Sequence, residues 1–311
     1  MSVAIRKLVQ PRIGRVVCSI ICAFAMAWAS LPLYAGQKEA AKTSSTTTER
    51  PKGKGFPTAG DAAAALYAAA RRNDDRELLT ILGSDGKDII DWGNDAKLRQ
   101  EQRTEFADKY DQMHRLVKEP DDTVALYVGA ENWPLPIPIV ESNGRWYFDT
   151  EGGKEEILYR RVGRNEMEAL EVCRALLDAE KDYYSEAHDY TANFISSNDS
   201  HDGLYWPGSD SARRSPIGPY LAHAGVTGPN TDGLEPYHGY YYRILLTRAG
   251  NGSSGGFAIL AFPAEYRSSG VMTFMMQQEG DAHEKDLGPN TAELAKQITS
   301  SVPDGAWNKV E

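Results

Sequence analysis

The chain has 311 residues, of which 41% are hydrophobic and 25% are charged. This length and balance are typical of a globular protein with one large or two ordinary domains, and they exclude a wholly disordered chain. The 34 lysines and arginines are outnumbered by 44 aspartates and glutamates, which gives a net charge of −10. Because the basic residues do not cluster, we expect no nucleic-acid partner.

The N-terminal segment has the pattern of a secretory signal peptide. Basic residues at positions 6, 7, 12 and 15 precede an apolar run over residues 16 to 29, and small residues follow the run. A membrane-spanning helix needs about 20 apolar residues, so this run is short for one. We therefore predict a signal peptide over residues 1 to 35, cleaved after Ala29 or Ala35, a periplasmic or secreted protein, and no membrane span after cleavage.

Cleavage changes both the charge and the cysteine content of the chain. Residues 1 to 35 hold four basic residues, no acidic residue and two of the three cysteines, so the remaining chain has a charge of −14 and only Cys173. An internal disulfide is then impossible, and stability must come from packing. Cys173 lies beside Val172 and Leu176 on a predicted helix, a setting that favours a small buried thiol over a nucleophile.

The first half of the chain reads as a polar linker followed by helices. Residues 36 to 55 lack aliphatic periodicity and predict a disordered linker. Thr58, with Asp61 three residues later, predicts a helix start, and Gly83 predicts the end of a second helix. A third helix is predicted from apolar residues at helical spacing: Leu98, Phe106, Tyr110, Met113 and Val117.

Strand patterns follow Pro120. We predict strands over residues 123 to 128, 137 to 140 and 145 to 148, the last two joined by a hairpin at Asn143-Gly144. Alternate prolines in residues 133 to 138 remove backbone donors, so this segment should lie at a sheet edge or outside the sheet. Residues 56 to 160 are therefore expected to form one α+β domain, with helices packed on an antiparallel sheet.

A second α+β domain is predicted over residues 163 to 311, with a boundary near Gly163. A helix over residues 165 to 187 should be capped by Asn165 with Glu168, and its buried face should hold Met167, Leu170, Cys173, Leu177 and Tyr184. Residues 188 to 236 should form an extended loop region. Four strands then follow, over residues 237 to 247, 257 to 262, 271 to 277 and 283 to 287.

Several segments resemble an uncharacterised family of exported bacterial proteins, known only as a domain of unknown function. The segments that carry this resemblance are 163 to 166 (GRNE), 201 to 207 (HDGLYWP), 236 to 245 (PYHGYYYRIL), 255 to 258 (GGFA), 262 to 266 (FPAEY), 270 to 274 (GVMTF) and 285 to 289 (KDLGP). The resemblance covers nearly all of the chain beyond the signal segment. It implies export and implies no activity.

Two parts of the chain also resemble known folds. Residues 56 to 160, with three helices and a Gly-Arg-Trp-Tyr-Phe strand after the Asn-Gly turn, are similar to NTF2-like or cystatin-like folds. Residues 163 to 311, with one helix before Gly-Tyr and Ala-x-Pro strands, are similar to the globular heads of type IV pilins and pseudopilins. In pilins a long apolar helix directly precedes the head, whereas here a separate domain intervenes.

The sequence offers no convincing catalytic set, and we predict no metal site and no cofactor. No His or Cys spacing matches a zinc motif, and no Gly-x-Ser-x-Gly elbow is present. His201-Asp202 places an imidazole beside a carboxylate, as acid-base catalysis requires, so one alternative function is a periplasmic hydrolase that uses His201, Asp202 and His238. Neighbouring side chains in an extended segment point apart, however, which weakens this interpretation.

The richest feature is a set of aromatic residues around residues 205 and 240. In a strand, Tyr240 and Tyr242 share one face, so one set of tyrosines should enter the core. The other set is either exposed for binding or also packed in the core, which β-propensity alone favours for Tyr. The leading prediction is a non-catalytic envelope protein that binds another envelope protein, a peptide or a saccharide. A pseudopilin-like assembly subunit is a further alternative. The predicted binding patch is concave and comprises Tyr205, Trp206, Tyr237, His238 and Tyr240.

Overall fold

The computed structural model of the protein describes residues 53–91, 95–197, 200–207, 215–227, 233–248 and 254–310. The predicted signal peptide, residues 36 to 52 of the predicted linker and the cysteines at positions 18 and 22 lie outside the described residues. The described part contains helices and two antiparallel sheets, which confirms the α+β class. The chain divides into two compact units between Glu156 and Ile157. We call them unit 1 and unit 2.

Unit 1 begins with helices whose ends follow the predicted signals. The helices are α1 (Ala59–Arg71), α2 (Asp75–Leu82), α3 (Lys87–Ile90) and α4 (Ala96–Gln112). The hydroxyl of Thr58 caps α1 by accepting a hydrogen bond from the backbone N–H of Asp61 (3.0 Å). Gly83 ends α2 with a φ of 79°, which glycine adopts without strain. The end of the predicted linker is part of unit 1, because the N–H of Lys54 donates to the carbonyl of Thr80 (3.0 Å).

The sheet of unit 1 contains two strands that the sequence did not predict, the first and the third. Its strands are β1 (His114–Lys118), β2 (Val124–Val128), β3 (Trp133–Pro134), β4 (Ile139–Ser142) and β5 (Arg145–Phe148). The order is β1-β2-β4-β5, and the short β3 also pairs with β2. The helix predicted through Val117 is wrong beyond Gln112, because Met113 is extended and the chain turns into β1. The hairpin prediction is confirmed by positive φ at Asn143 and Gly144.

The helices and the sheet of unit 1 share one apolar core. Side chains from α1, α2, α3 and α4 pack against those that alternate into the same face of β2, β4 and β5. The most deeply buried members are Ala62, Ala69, Ile81, Leu126, Val128 and Ile139. This layer of helices on an antiparallel sheet has the arrangement expected for the first half of the chain.

A single long helix, α5 (Thr150–Ala187), contains the division between the units. The prediction that it starts at Asn165 is wrong. Asp149 precedes the helix and accepts a hydrogen bond from the N–H of Gly152 (3.1 Å), so the cap lies there. Asn165 instead donates from its side-chain amide to the carbonyl of Ser269 (2.8 Å). The predicted buried face is also shifted, since Met167 and Tyr184 are exposed.

Unit 2 is built on a five-stranded sheet that is covered on both faces. Its remaining elements are α6 (Pro219–His223), β6 (Tyr240–Arg248), β7 (Ser254–Pro263), β8 (Met272–Gln277), β9 (Ala282–Asp286), α7 (Thr291–Gln297) and β10 (Asn308–Lys309). All pairs are antiparallel, in the order β10-β9-β8-β7-β6. On one face Tyr240, Tyr242 and Ile259 pack with α5, and on the other Leu260 and Phe262 lie in a second cluster that includes Ala295 of α7.

None of the described helices combines the length and the apolar character that crossing a bilayer requires.

Candidate functional site

A groove of about 350 Å³ lies on unit 2, between α5, the start of α6 and the turn before β6. Helix α5 contributes residues at positions 168, 171, 172 and 175, a spacing that places them on one helical face. The complete lining is Glu168, Glu171, Val172, Ala175, Gly218, Tyr220, Leu221, Tyr237 and His238. The groove therefore combines two carboxylates, an imidazole and two phenol rings with a small apolar floor.

A tight turn fixes the position of His238 in the groove. Tyr237 and Tyr240 exchange two backbone hydrogen bonds (3.0 and 3.1 Å), and His238 and Gly239 between them have φ of 51° and 75°. Two consecutive positive φ angles define a type I′ turn, in which Gly is favoured at the second position. A Cβ on Gly239 would lie 2.6 Å from the Nδ2 of Asn165, so glycine also permits the close approach to α5.

His238 is held by a carboxylate and by an aromatic ring. Its Nδ1 lies 2.7 Å from Oε2 of Glu168, and its ring meets that of Tyr237 edge to face at 4.2 Å. The other carboxylate of the groove, Glu171, accepts a hydrogen bond from Arg174 (2.6 Å). Both carboxylates therefore have a partner, and their remaining lone pairs can accept hydrogen bonds from a ligand.

Tyr220 lies at the rim of the groove and is 77% exposed. It follows Pro219, which occupies the first position of α6 and suits that position because its missing N–H would have no helical partner. The imidazole of His223 closes the same turn, with Nδ1 2.6 Å from the carbonyl of Pro219. A large ring is therefore exposed to solvent on an ordered turn, beside the half-buried Tyr237.

The structure does not assemble the predicted hydrolase residues. His201 stacks on Trp206 with ring centroids 4.3 Å apart. Asp202 accepts hydrogen bonds from the hydroxyl of Ser200 (2.7 Å) and from the N–H and hydroxyl of Ser197 (both 2.9 Å), which hold the pKa of its carboxyl below the usual range. Within the described chain, no hydrogen bond or ion pair joins either residue to His238. Asp202 closes a serine-rich turn, and the partner of His238 is Glu168.

The predicted aromatic patch is also divided between surface and core. Tyr240 is fully buried and donates its hydroxyl to the carbonyl of Met272 (2.9 Å). Trp206 is 5% exposed and donates its indole N–H to the carbonyl of Gly203 (2.8 Å). Tyr205 is half-buried and is not among the groove residues. Tyr240 and Trp206 are therefore core residues, and Tyr237 and His238 alone of the predicted patch line the groove.

Three groove residues were missed in the sequence. Glu168 was interpreted as the capping partner of Asn165, an interpretation that fails because α5 begins at Thr150. Glu171 carried no motif. Tyr220 follows a proline in a segment poor in aliphatic residues, and a Pro-aromatic pair at a short helix start is the signal that could have marked it.

Among the described residues, no group of three or more His, Cys, Asp or Glu side chains is arranged to hold a metal ion. Cys173 is fully buried on α5, and burial raises the pKa of its thiol to about 12, so it stays protonated and packs as a small apolar group.

Comparison with known proteins gives one result. A family model described as "Protein of unknown function (DUF2950)" matches residues 53–310. The chain belongs to this family. The resemblance to a domain of unknown function is thereby confirmed, and the DUF2950 match includes residues of both units. No curated protein matches the chain, and no solved structure matches it either.

Proposed function

We propose that this DUF2950 protein is an exported, non-catalytic binding protein that takes a saccharide into the groove beside His238. Export is supported by the signal-peptide pattern of residues 1 to 35 and by the high acidity of the chain that follows them. Binding is supported by the groove itself, and the observation that carries the proposal is the exposed ring of Tyr220 at its rim.

The chemistry of the groove favours a neutral ligand rich in hydroxyl groups. Sugar rings combine apolar C–H faces with hydroxyls, and the phenol rings of Tyr220 and Tyr237 offer flat apolar surfaces with polar tips. Glu168, Glu171 and His238 provide acceptors for sugar hydroxyls. The groove volume of about 350 Å³ is at the lower end of the range that holds small ligands.

The same contacts disfavour the other predicted partners. In the groove, Glu171 is already ion-paired with Arg174, and Glu168 already accepts a hydrogen bond from His238, so neither carboxylate is without a partner for a basic peptide to replace. An apolar peptide would need a longer apolar floor than Val172, Ala175 and Leu221 provide. A saccharide is therefore the occupant that uses both the rings and the acceptors.

The proposal is tested by calorimetric titration with neutral gluco- and amino-sugar oligosaccharides. We expect Tyr220→Ala to weaken the binding of the preferred saccharide about fivefold or more, because a stacked ring contributes about 1 kcal/mol beyond its buried area. The matched control is Tyr159→Ala, since Tyr159 is also an exposed tyrosine of unit 2 (60%) and is not among the groove residues. Absence of binding by the wild type, or equal losses in the two variants, would contradict the proposal.

A second candidate function is favoured by the pair of His238 and Glu168. A carboxylate on Nδ1 orients an imidazole for general-base work and leaves Nε2 as the nitrogen that can accept a proton from a ligand. Mass spectrometry of the titration mixtures separates the two functions. Intact saccharide supports binding alone, whereas shortened products that are lost in His238→Gln would favour a hydrolase.

The proposal also includes a relationship of each half of the chain to a known fold, and one further function. We propose that residues 56 to 160 are related to NTF2-like or cystatin-like folds, which the order of three main helices before a hairpin-rich sheet supports. We propose that residues 163 to 311 are related to pilin heads, which a long helix before antiparallel strands supports. A pseudopilin-like role would need the N-terminal segment, which lies outside the described residues.

A further inference from the structure

Unit 1 contains an apolar cavity of about 100 Å³. Its walls come from α1, α2, α3, α4 and the segment that leads into β4. Buried apolar side chains in its walls include Leu66, Leu78, Ile90, Phe106 and Ile137. The cavity is built from residues of unit 1 alone, so it is independent of the proposed saccharide groove.

The size and the walls of this cavity disfavour water as its occupant. A single water needs about 10 to 15 Å³ and two to four polar partners, so a cavity of about 100 Å³ has room for several waters. Most of the wall side chains are apolar and cannot supply the hydrogen bonds that several waters need. A largely apolar cavity of this size can take up a small apolar molecule.

One polar side chain among the walls lacks a partner. Gln102, on α4, is 6% exposed and lines the cavity, and its Nε2 has no hydrogen-bond partner in the described part of the chain. A buried amide donor without a partner destabilises the folded protein, and an acceptor oxygen on a ligand would satisfy it. The ligand should therefore carry an acceptor.

The ion pairing of Arg103, a second polar residue of the cavity wall, indicates that the acceptor on the ligand is neutral. Arg103 forms an ion pair with Asp75, and it donates to Oδ1 of Asn73 (2.6 Å) and to the carbonyl of Ile90 (3.3 Å). Arg99 also has an interaction partner. Because the guanidinium of Arg103 is already neutralised, a buried carboxylate would bring a charge with no counter-ion of its own.

We infer that the cavity of unit 1 binds a small apolar molecule, a ring or a short chain, that carries one neutral acceptor oxygen such as a ketone, ester or amide carbonyl. The apolar part fills the space between Leu66, Phe106 and Ile137. The carbonyl accepts the hydrogen bond that Nε2 of Gln102 lacks.

Calorimetric titration of the full chain with acetophenone, ethylbenzene and benzoate tests this site. Acetophenone and ethylbenzene have the same ring and nearly the same shape, and they differ in the carbonyl. We expect acetophenone to bind about fivefold tighter than ethylbenzene, as one neutral hydrogen bond provides. Benzoate should bind more weakly than acetophenone.

Three variants make the test specific. Gln102→Leu removes the donor, keeps the volume and should abolish the preference for acetophenone while ethylbenzene still binds. Ala70→Leu places a larger side chain in the cavity wall and should abolish both. Gln100→Leu, an exposed glutamine on the same helix, should behave as the wild type.

Three results would overturn the inference. They are the absence of binding by acetophenone and ethylbenzene to the wild type, a preference that survives in Gln102→Leu, and benzoate binding as tight as that of acetophenone. A melting temperature for each variant shows that the folded chain was titrated. Because no saccharide is involved, failure here leaves the proposed groove function untouched, and the reverse also holds.

Discussion

Glu180 is an ionisable residue in the core of unit 2. It lies on α5, is fully buried, and its Oε2 accepts a hydrogen bond from the N–H of Thr191 (3.2 Å). Its Oε1 has no partner in the described chain. Burial raises the pKa of Glu180 to about 8, against the smaller opposing effect of the Thr191 hydrogen bond. Tyr183 and Tyr190 have raised pKa values, mainly because each phenol is itself partly buried, and the charge of Glu180 is one of the smaller causes.

The raised pKa of Glu180 predicts a specific pH dependence of stability. Between the unfolded pKa near 4.5 and the folded pKa of about 8, the native state binds more protons, so stability falls as pH rises by about 1.4 kcal/mol per pH unit. Glu180→Gln removes this titration. Urea denaturation of both proteins from pH 5 to pH 8 should show a steep loss in the wild type and a flatter curve in the variant.

An exposed glutamate supplies the control for this prediction. Glu235→Gln changes the same functional group at an exposed position of unit 2, so its curve should follow that of the wild type. Parallel curves for the wild type and Glu180→Gln would show that Glu180 does not titrate in this range.

At the scale of single residues, the sequence predicted part of the site and could not predict the rest. Tyr237 and His238 were found because they belong to the aromatic cluster around residue 240, although the sequence placed them in a strand and the structure places them before and in a turn. Glu168 and Tyr220 come from distant segments, and only tertiary folding brings them to His238. Tyr240 was misassigned because alternation along a strand shows which residues share a face, but not which face is buried.

At the scale of elements, the start of α5 was predicted wrongly at a glycine. Gly163 and Asn165 were interpreted as a boundary, since glycine costs a helix about 1 kcal/mol relative to alanine. The structure continues the helix through Gly163, and buried residues such as Ala169 and Cys173 pack its face against the sheet of unit 2. Tertiary packing outweighs a local cost of this size.

Gly163 therefore offers a test of helix continuity. A Cβ at this position would meet no atom within 4 Å, so Gly163→Ala should stabilise the protein by about 0.5 to 1 kcal/mol in urea denaturation. Gly153→Ala is the contrasting variant in the same helix, because its Cβ would lie 2.8 Å from Cγ1 of Ile137 and should destabilise the protein. A destabilising Gly163→Ala would mean that the helix is not continuous at this residue.

Strand β1 shows why some elements were missed. Met113 and Val117 continued the helical spacing of α4, so the sequence favoured one longer helix. Most side chains of β1 are exposed, and the strand therefore lacks the alternation of buried and exposed residues that predicts a strand. Its identity depends on pairing with β2, from His114 opposite Val128 to Lys118 opposite Val124.

At the scale of the whole molecule, the α+β class was predictable because the pairing is largely local. Strands that follow one another in sequence pair antiparallel in both sheets, so turn signals and alternation contain most of the topology. The two-sided cover of the unit 2 sheet was less evident, since α7 lies beyond the last predicted strand. Its residue Ala295 belongs to the second apolar cluster of unit 2.

The negative net charge of the chain predicts that it does not bind polyanions. The chain has a charge of −10, and several of its cations are already paired, among them Lys54 with Glu77 and Arg71 with Asp111. We therefore expect the protein to pass through a heparin column at about 50 mM salt, where a Debye length between 10 and 30 Å leaves repulsion largely unscreened. It should be retained by a quaternary-ammonium resin under the same conditions. Heparin is itself a saccharide, so retention that persists to about 200 mM salt would reveal a basic cluster and would contradict a neutral saccharide as the ligand.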